Sequence, residues 1–505
     1  MTRRARKRSD GATLALDKEL LDKRVFRGGN FQPLSPAQRD AIVDHAFKIL
    51  SDVGMADAPD WLAQLLIEKG AHRRSDGRLC FPASVVEAAL KRAAKTVALP
   101  GFRESDGIQV GGGYVHIGTG GAAVQTLDAA SGDYRDSTLR DLYSMMRVLD
   151  HCEHIHYGVR PLVARDIESP FELDINTAYT CLSGTGKPIG VSFDCGEHVE
   201  PIVNLFDTAL QREQGFRKQP FCMAIIVHVV PPLRFAAEGI EIMRKAIAAG
   251  MPLQICSAGQ AGATSPAPLA GALAQGLAES LAGLLAVDSM EPGFPCIYAF
   301  MPFVSDLRTG AMSGGGGEVA VANAAAAQLL RHLELPSTVA AGMTDAKVAD
   351  AQSGYEKGYT VALAAQAGAD MINLSVGMLG SIMVASPEML LIDNEMCGAI
   401  LRSVRGVEVD ATHLDLETVE RVVSGEGHYL GEPQTLDLMK TEYLYPQLGD
   451  RQSVHDWQSA GATTIWQRAS AKLDEITNVD LPQIISPDAD KLIRERFPIR
   501  LNFQE

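Results

Sequence analysis

Apolar residues in this chain recur in short runs of about six, separated by longer stretches in which they return every three or four positions. The runs are Val115 to Gly120, Ile155 to Arg160, Ile189 to Asp194, Phe221 to Val227, Leu253 to Ala258, Cys296 to Met301, Ser337 to Gly342 and Met371 to Val376. Each is short, bounded by turn residues and apolar on successive positions, as expected of strands covered on both faces. The gaps carry helical spacing, for example Leu139 to Leu149, Val199 to Glu213, Arg234 to Ala249, Pro266 to Val287 and Gly317 to Leu333. Strands alternating with helices predict an α/β fold with parallel pairing. Eight such units predict a TIM-type (β/α)8 barrel.

The segment from Ser337 to Leu379 shows the unit most clearly. A small-residue and β-branched run leads into the polar loop Met343 to Asp350, an alanine-rich helix follows to about Ala367, and a second apolar run begins at Met371. Function in a parallel α/β fold collects at the carboxyl ends of strands, so the loop after the first run carries the weight.

Outside the eight units the pattern changes. Residues 1–34 lack periodicity and are expected to form an arm. Ser35 followed by proline caps a helix, and further amphipathic stretches make 35–110 a mainly helical subdomain. Residues 111–393 hold the barrel, and 394–505 read as a helical extension. Val124 to Thr138 reads as a hairpin turning at Ser131-Gly132. The glycines Gly118 to Gly121 precede that hairpin and no helix, which makes them a poor dinucleotide fingerprint.

The chain has 505 residues, 46% hydrophobic and 21% charged, with a formal net charge of -16. That charge argues against nucleic-acid binding. The basic cluster Arg3, Arg4, Arg6, Lys7 and Arg8 is read as a solvated tail. No apolar run follows it and the segment Thr264 to Met290 is weakly hydrophobic, so neither a secretory signal nor a membrane span is expected and a cytoplasmic location is. Eight cysteines without CxxC spacing fit reduced thiols. His151, Cys152, Glu153, His154 and His156 offer metal-type donors, but they precede a strand, at the face opposite the active mouth, so no metal site is expected.

Residues closing the strands should form one ring: Thr119, Arg160, Phe193 with Asp194, His228, Ser257 with Gln260, Phe300 with Met301, Thr344 with Asp345, and Ser375 with Met378. The ring holds one histidine and much aromatic and thioether surface, a composition suited to binding and orienting. Asp345 and His228 are the candidate catalytic groups. Tyr355 and Glu356 on the following helix, with Tyr298 inside a strand, are further wall candidates. The tetraglycine Gly314 to Gly317 offers backbone donors at a helix start, or a place where another molecule approaches.

The stretches TDAKVADAQSGYEKGYT, SGGGGEVAVANAAAAQLLRHLELP, VGMLGSIMVASPEMLLIDNEM and GHYLGEPQTLDLMKTEYLYPQLGDRQSVHDW resemble the trimethylamine methyltransferase superfamily, from about residue 35 to the end. The resemblance implies a (β/α)8 barrel that moves a methyl group from an amine to the Co(I) corrinoid of a separate corrinoid protein. Founding members carry pyrrolysine in the mouth; this chain has standard residues only and resembles the branch acting on quaternary amines such as glycine betaine. It departs from the family pattern at Gln434, where a histidine often precedes Thr-Leu. A quaternary ammonium departs as a neutral amine and needs only a cationic seat: Phe193, Tyr298, Phe300 and Tyr355 as aromatic faces, Asp194, Asp345 or Glu356 as counter-charge. A betaine carboxylate would take Arg160, His228, Gln260 or backbone donors, with Thr344 beside them. No Asp-x-His-x-x-Gly cobalamin motif occurs, so the corrinoid arrives on a partner. Alanine-rich helices suggest a homo-oligomer. Two other classes fit the pattern: a Schiff-base lyase using Lys347, and a non-catalytic betaine-binding protein.

Overall fold

The computed structural model describes residues 26–128, 131–477 and 483–502; the predicted basic tail lies outside them. The eight apolar runs all form strands: β1 His116–Ile117, β2 Gly158–Val159, β3 Ile189–Val191, β4 Cys222–Val227, β5 Leu253–Ser257, β6 Cys296–Phe300, β7 Ser337–Ala340 and β8 Met371–Asn373. They make one parallel sheet in the order β1-β8-β7-β6-β5-β4-β3-β2, so from β2 to β8 each strand lies beside the next in sequence, while β1 pairs with β8. The sheet curls until its edges approach. A parallel bridge joins Gly118 to Tyr157, and the His156 N–H donates to the Ile117 carbonyl at 2.8 Å.

Eight helices follow the strands: α1 Leu139–His151, α2 Pro170–Gly184, α3 Val199–Ala209, α4 Ala237–Ala249, α5 Leu269–Met290, α6 Gly317–His332, α7 Ala351–Ala367 and α8 Pro387–Arg405. Parallel neighbours need such crossovers, and each helix lays its apolar stripe on the sheet. Leu253, Ile255, Tyr298 and Phe300 pack outward among helix side chains such as Leu277 and Leu281. Helix α5 is long and apolar enough to cross a membrane, yet 89% of its apolar window is buried inside this fold.

The sheet's inner face holds two apolar layers. At the amino ends Tyr157, Val159, Met223, Ile297 and Met371 pack against Val97, Leu99, Ile108 and Val110. Those four belong to an antiparallel hairpin, Val97–Leu99 with Ile108–Val110, that stoppers this end. At the carboxyl ends Cys256, Ala299, Met301, Ala340, Met343 and Leu374 form the second layer.

Between the layers, the Tyr157 hydroxyl donates to Asn373 and the Thr338 hydroxyl to Gln254 at 3.3 Å. The bulk of Tyr157 explains Gly118, where any Cβ would sit 2.2 Å from the ring.

The amino-terminal region contains helices Pro36–Lys48, Asp60–Glu68 and Ala83–Arg92; the predicted Ser35 cap is in place, and Gln38 completes it as a capping box. It also contains two hairpins the periodicity did not reveal. The predicted hairpin after β1 forms, pairing Gln125 with Asp136, and joins two short strands after β8 in a four-stranded rim sheet. A second rim sheet links Gln260–Ala261, Phe303–Ser305 and Met312–Ser313, after β5 and β6.

Toward the carboxyl end, α8 begins at the Ser386 cap and Pro387 and so runs across the boundary expected at 393/394 between barrel and extension. Within the extension, expected to be helical, the helices Val454–Ser459 and Ile465–Thr477 are parted at Gly461 and Ala462, both with positive φ.

Candidate functional site

The carboxyl ends of the strands open onto solvent. Along β4, Ala224 and Ile226 pack toward the helices while Met223 and Ile225 face inward, so Val227 continues the inner row. Val227 is 57% exposed, and Ile225 below it is half-buried. An inward-facing strand residue that meets water marks an open mouth. Its inner wall is apolar and sulfur-rich: Cys256, Met301, Met343 and Leu374, with Phe303, Met312 and Ile382 against them. Leu374 and Ile382 both hold positive φ, backbone strain concentrated at this rim.

The polar side of the rim is the loop after β7. Thr344 and the Asp345 N–H donate to one oxygen of Glu356, at 2.6 and 2.8 Å, and Gln352 donates to the other at 2.9 Å. Asp345 in turn accepts from the Gly314 N–H at 2.8 Å, the Gly315 N–H at 3.4 Å and the Ser381 hydroxyl. Two of the four tetraglycine donors predicted to be available to a ligand, those of Gly314 and Gly315, are therefore directed at this chain's own carboxylate. Glycine is required at 315 because a Cβ would lie 2.3 Å from the Glu356 carboxyl carbon. Tyr359 closes the arrangement by donating to the Gly315 carbonyl. Thr344, Asp345 and Glu356 are thus brought together, while Tyr355 stands 60% exposed on the outer turn of α7. Lys347 is exposed and donates to the Asp345 carbonyl.

The aromatic wall expected at the mouth is arranged otherwise. Tyr298 and Phe300 are buried on the outward face of β6, and the Phe300 ring fills the space above Gly276 of α5. Phe193 also packs with the outer core. Runs buried on both sides carry no alternation, so the sequence held no signal for which face each aromatic takes. Inward positions it passed over include Ser192, Ile225, Val227 and Ala258; they follow from counting two residues along each strand once one inward residue is known.

His228 is fully buried behind the mouth. Its Nε2 lies 3.0 Å from the Glu279 carbonyl, and burial lowers its pKa to about 4, so it is neutral at pH 7. Glu279 takes the Leu233 N–H, the Ser257 hydroxyl and the Gln275 amide at 3.0, 2.7 and 3.1 Å. Burial raises its pKa. Ser257 is therefore committed to α5. Gln260 sits half-buried in the three-stranded rim sheet.

Arg160 is half-buried at the end of β2. Its backbone N–H donates to Gly190 at 3.1 Å, but among the described residues its guanidinium makes no hydrogen bond or ion pair. Burial lowers its pKa, and the carboxylate of Asp174 on α2 partly counters this. Asp194 is exposed; its N–H and the His198 ring both meet Asp174, each at 2.7 Å.

The metal-type donors at 151–156 diverge. The Cys152 thiol donates to the Val148 carbonyl with its pKa pushed up to about 12 by burial, while His156 Nδ1 accepts from the Ile117 N–H. Among the described residues Glu408, His413 and Glu442 do gather, in the extension, but Arg405 pairs with both glutamates at 2.6 Å.

A cleft of about 450 Å³ between α3 and α4, lined by Glu200, Asn204, Asp207, Arg217 and Lys245, lies outside the curled sheet and away from the mouth.

The chain is 30% identical over 453 residues to trimethylamine methyltransferase MttB1 of Methanosarcina mazei, covering 88% of this chain and 90% of that one. It is 27% identical to a glycine betaine methyltransferase of Desulfitobacterium hafniense, covering 90% and 94%. Among solved structures, the monomethylamine methyltransferase MtmB of Methanosarcina barkeri aligns over 91% of this chain and 97% of that one, at 14% identity and a TM-score of 0.45. The family model described as trimethylamine methyltransferase (MTTB) matches residues 1–498. With that match spanning nearly the whole chain, the protein belongs to the trimethylamine methyltransferase family and is a methyltransferase by class.

Proposed function

We propose that this chain takes a methyl group from a small quaternary amine, glycine betaine or a related betaine, and passes it to the Co(I) corrinoid of a separate corrinoid protein. The observation that carries the substrate reading is Arg160: a half-buried guanidinium without a partner among the described residues, one residue past the carboxyl end of β2 and near Asp174 of α2. Such a group is costly to leave unpaired, and a carboxylate is its natural complement. The cation at the other end of a betaine would lie in the field of Asp345 and Glu356, against the thioethers of Met301 and Met343.

In this reading the curled sheet is a closed (β/α)8 barrel, which the Gly118–Tyr157 bridge supports. A helical subdomain at 35–110 and a helical extension at 394–505 flank it. The mouth suits a visiting cofactor, because Val227, Leu307 and Met383 offer exposed apolar surface near the strand ends. The partner's Co(I) corrinoid would supply the nucleophile for the methyl carbon, so that as the C–N bond breaks the substrate nitrogen would leave as a neutral tertiary amine. The protein's own part is to orient one methyl toward the opening and hold the rest of the substrate still. His228 and Asp345, engaged with Glu279 and with the glycine loop, act as positioning residues in this scheme. The enzyme works in the cytoplasm as a homo-oligomer, with no nucleic acid or membrane partner.

The test is methylation of Co(I) cobalamin, followed by its absorbance, across a panel of quaternary and tertiary amines. Transfer from betaines but not trimethylamine supports the reading; a pure preference for trimethylamine overturns the substrate, and binding without transfer to any reduced corrinoid overturns the reaction.

A further inference from the structure

The extension beyond α8 shows an unusual surface. Val407, Leu414, Leu416, Val423, Leu430 and Tyr443 are between 64% and 85% exposed. Surface apolar residues are ordinary singly, but this density over some forty residues marks a face made to be covered. The same stretch is strongly acidic, with eleven Asp and Glu against three Lys and Arg over residues 406–459. Two copies of such a face would repel each other, so the cover should be basic as well as apolar.

The chain carries one segment of that composition. Residues 1–25 hold eight Lys and Arg against four Asp and Glu, together with Leu14, Leu16, Leu20 and Leu21. The described chain begins close to the acidic face. The Gly29 and Phe31 N–H groups both donate to the Gln366 carbonyl, at 2.7 and 3.1 Å, and the Gln366 side chain donates to Ser403 at 3.3 Å. Ser403 is two residues from the end of α8, where the extension starts. Twenty-five residues can reach about 80 Å when extended, far more than this separation requires. A tether this short also keeps its local concentration near the millimolar range.

We propose that residues 1–25 dock in cis on the acidic, apolar face of residues 406–459. Their basic run lies against carboxylates such as Glu417, Glu426 and Asp437, and their leucines cover the exposed aliphatic side chains. The contact is intramolecular and partly electrostatic, so it weakens with salt.

The full-length protein, its deletion of residues 1–25, and a variant carrying Arg3→Glu, Arg4→Glu, Arg6→Glu, Lys7→Glu and Arg8→Glu test this. Zero-length carbodiimide coupling at low salt should join Lys7, Lys18 or Lys23 to carboxylates of 408–442, and 0.5 M salt should suppress it. Equal mixtures of ¹⁵N-labelled and unlabelled protein should show these links within single chains. Amide exchange across 407–443 should speed up at least fivefold in both variants, while exchange in β4 to β7 stays unchanged. Exchange unaltered by both variants, or links found only between labelled and unlabelled chains, would overturn the proposal; the latter would assign the face to a second copy.

Discussion

Lys357 and Asp393 form an ion pair of 3.2 Å with both side chains at most 1% exposed. The lysine also donates to the carbonyls of Gly342 and Met378, at 2.7 and 3.1 Å, and the aspartate accepts the Gly377 N–H at 2.8 Å. One buried pair thus ties the loop after β7 to the loop after β8, the two that shape the polar side of the mouth. Removing one partner leaves the other charge buried and alone, which costs about 3–5 kcal/mol. Lys357→Met should therefore lose that much in denaturant titrations, and Lys357→Met with Asp393→Leu should regain most of it. With Asp393→Leu measured alone as well, a loss in the double variant equal to the sum of the two single losses would show that the ion pair contributes no coupling.

The glycine loop provides a paired comparison. Gly315→Ala must push its Cβ into Glu356, whereas a Cβ at Gly317 meets nothing within 4 Å. Overpacking of this kind costs roughly 1–3 kcal/mol. Gly315→Ala should lower both the unfolding midpoint and methyl transfer, with Gly317→Ala close to wild type. Asp345→Asn, which substitutes a donor for one acceptor facing the Gly314 and Gly315 N–H groups, should fall between them.

Burial holds His228 near pH 4, against about 6.5 in the unfolded chain. The unfolded state binds the extra proton first, so this histidine's contribution is intact above pH 6.5 and is lost as pH falls toward 4. The slope approaches about 1.4 kcal/mol per pH unit within that window. Asp370 and Asp393 work the other way. Burial raises each to about 6, so their share is greatest below pH 4 and declines as pH rises through 6. The stability difference between wild type and His228→Gln, measured from pH 4 to 7.5, should isolate the histidine: it should grow with pH up to about 6.5 and then level. A flat difference would mean the ring is not buried neutral.

Arg160→Gln separates the two substrate classes. Loss of a charge-assisted carboxylate contact is worth about 2–3 kcal/mol, which is roughly 30- to 150-fold in KM for a betaine. An amine lacking a carboxylate should be handled as well as before. Equal weakening of both would remove Arg160 from the substrate's carboxylate end.

How much of this was written in the sequence depends on the level considered. All eight apolar runs became strands at their expected places, because a strand covered on both faces must be apolar throughout and short. The helix after β2 was not among those read from the pattern: α2 buries Asp174, Asn176, Thr177 and Thr180, polar residues that blur its stripe. The cluster of Thr344, Asp345 and Glu356 was visible, since one loop and the first turns of one helix carry all three. Lys357 and Asp393, thirty-six positions apart, bore no mark of their pairing.

The sequence by itself determined the alternation of strand and helix, their order around the sheet and the loops that would meet at one rim. Tertiary structure alone decided which side of each strand looks inward. Tyr298 and Phe300 turned to the helices, and Ile225 and Val227 to the mouth, because two-sided burial leaves no polar residue to label a face. It also decided that the Gly314 and Gly315 N–H groups would be claimed by Asp345, a choice set by distances across space that no spacing along the chain records.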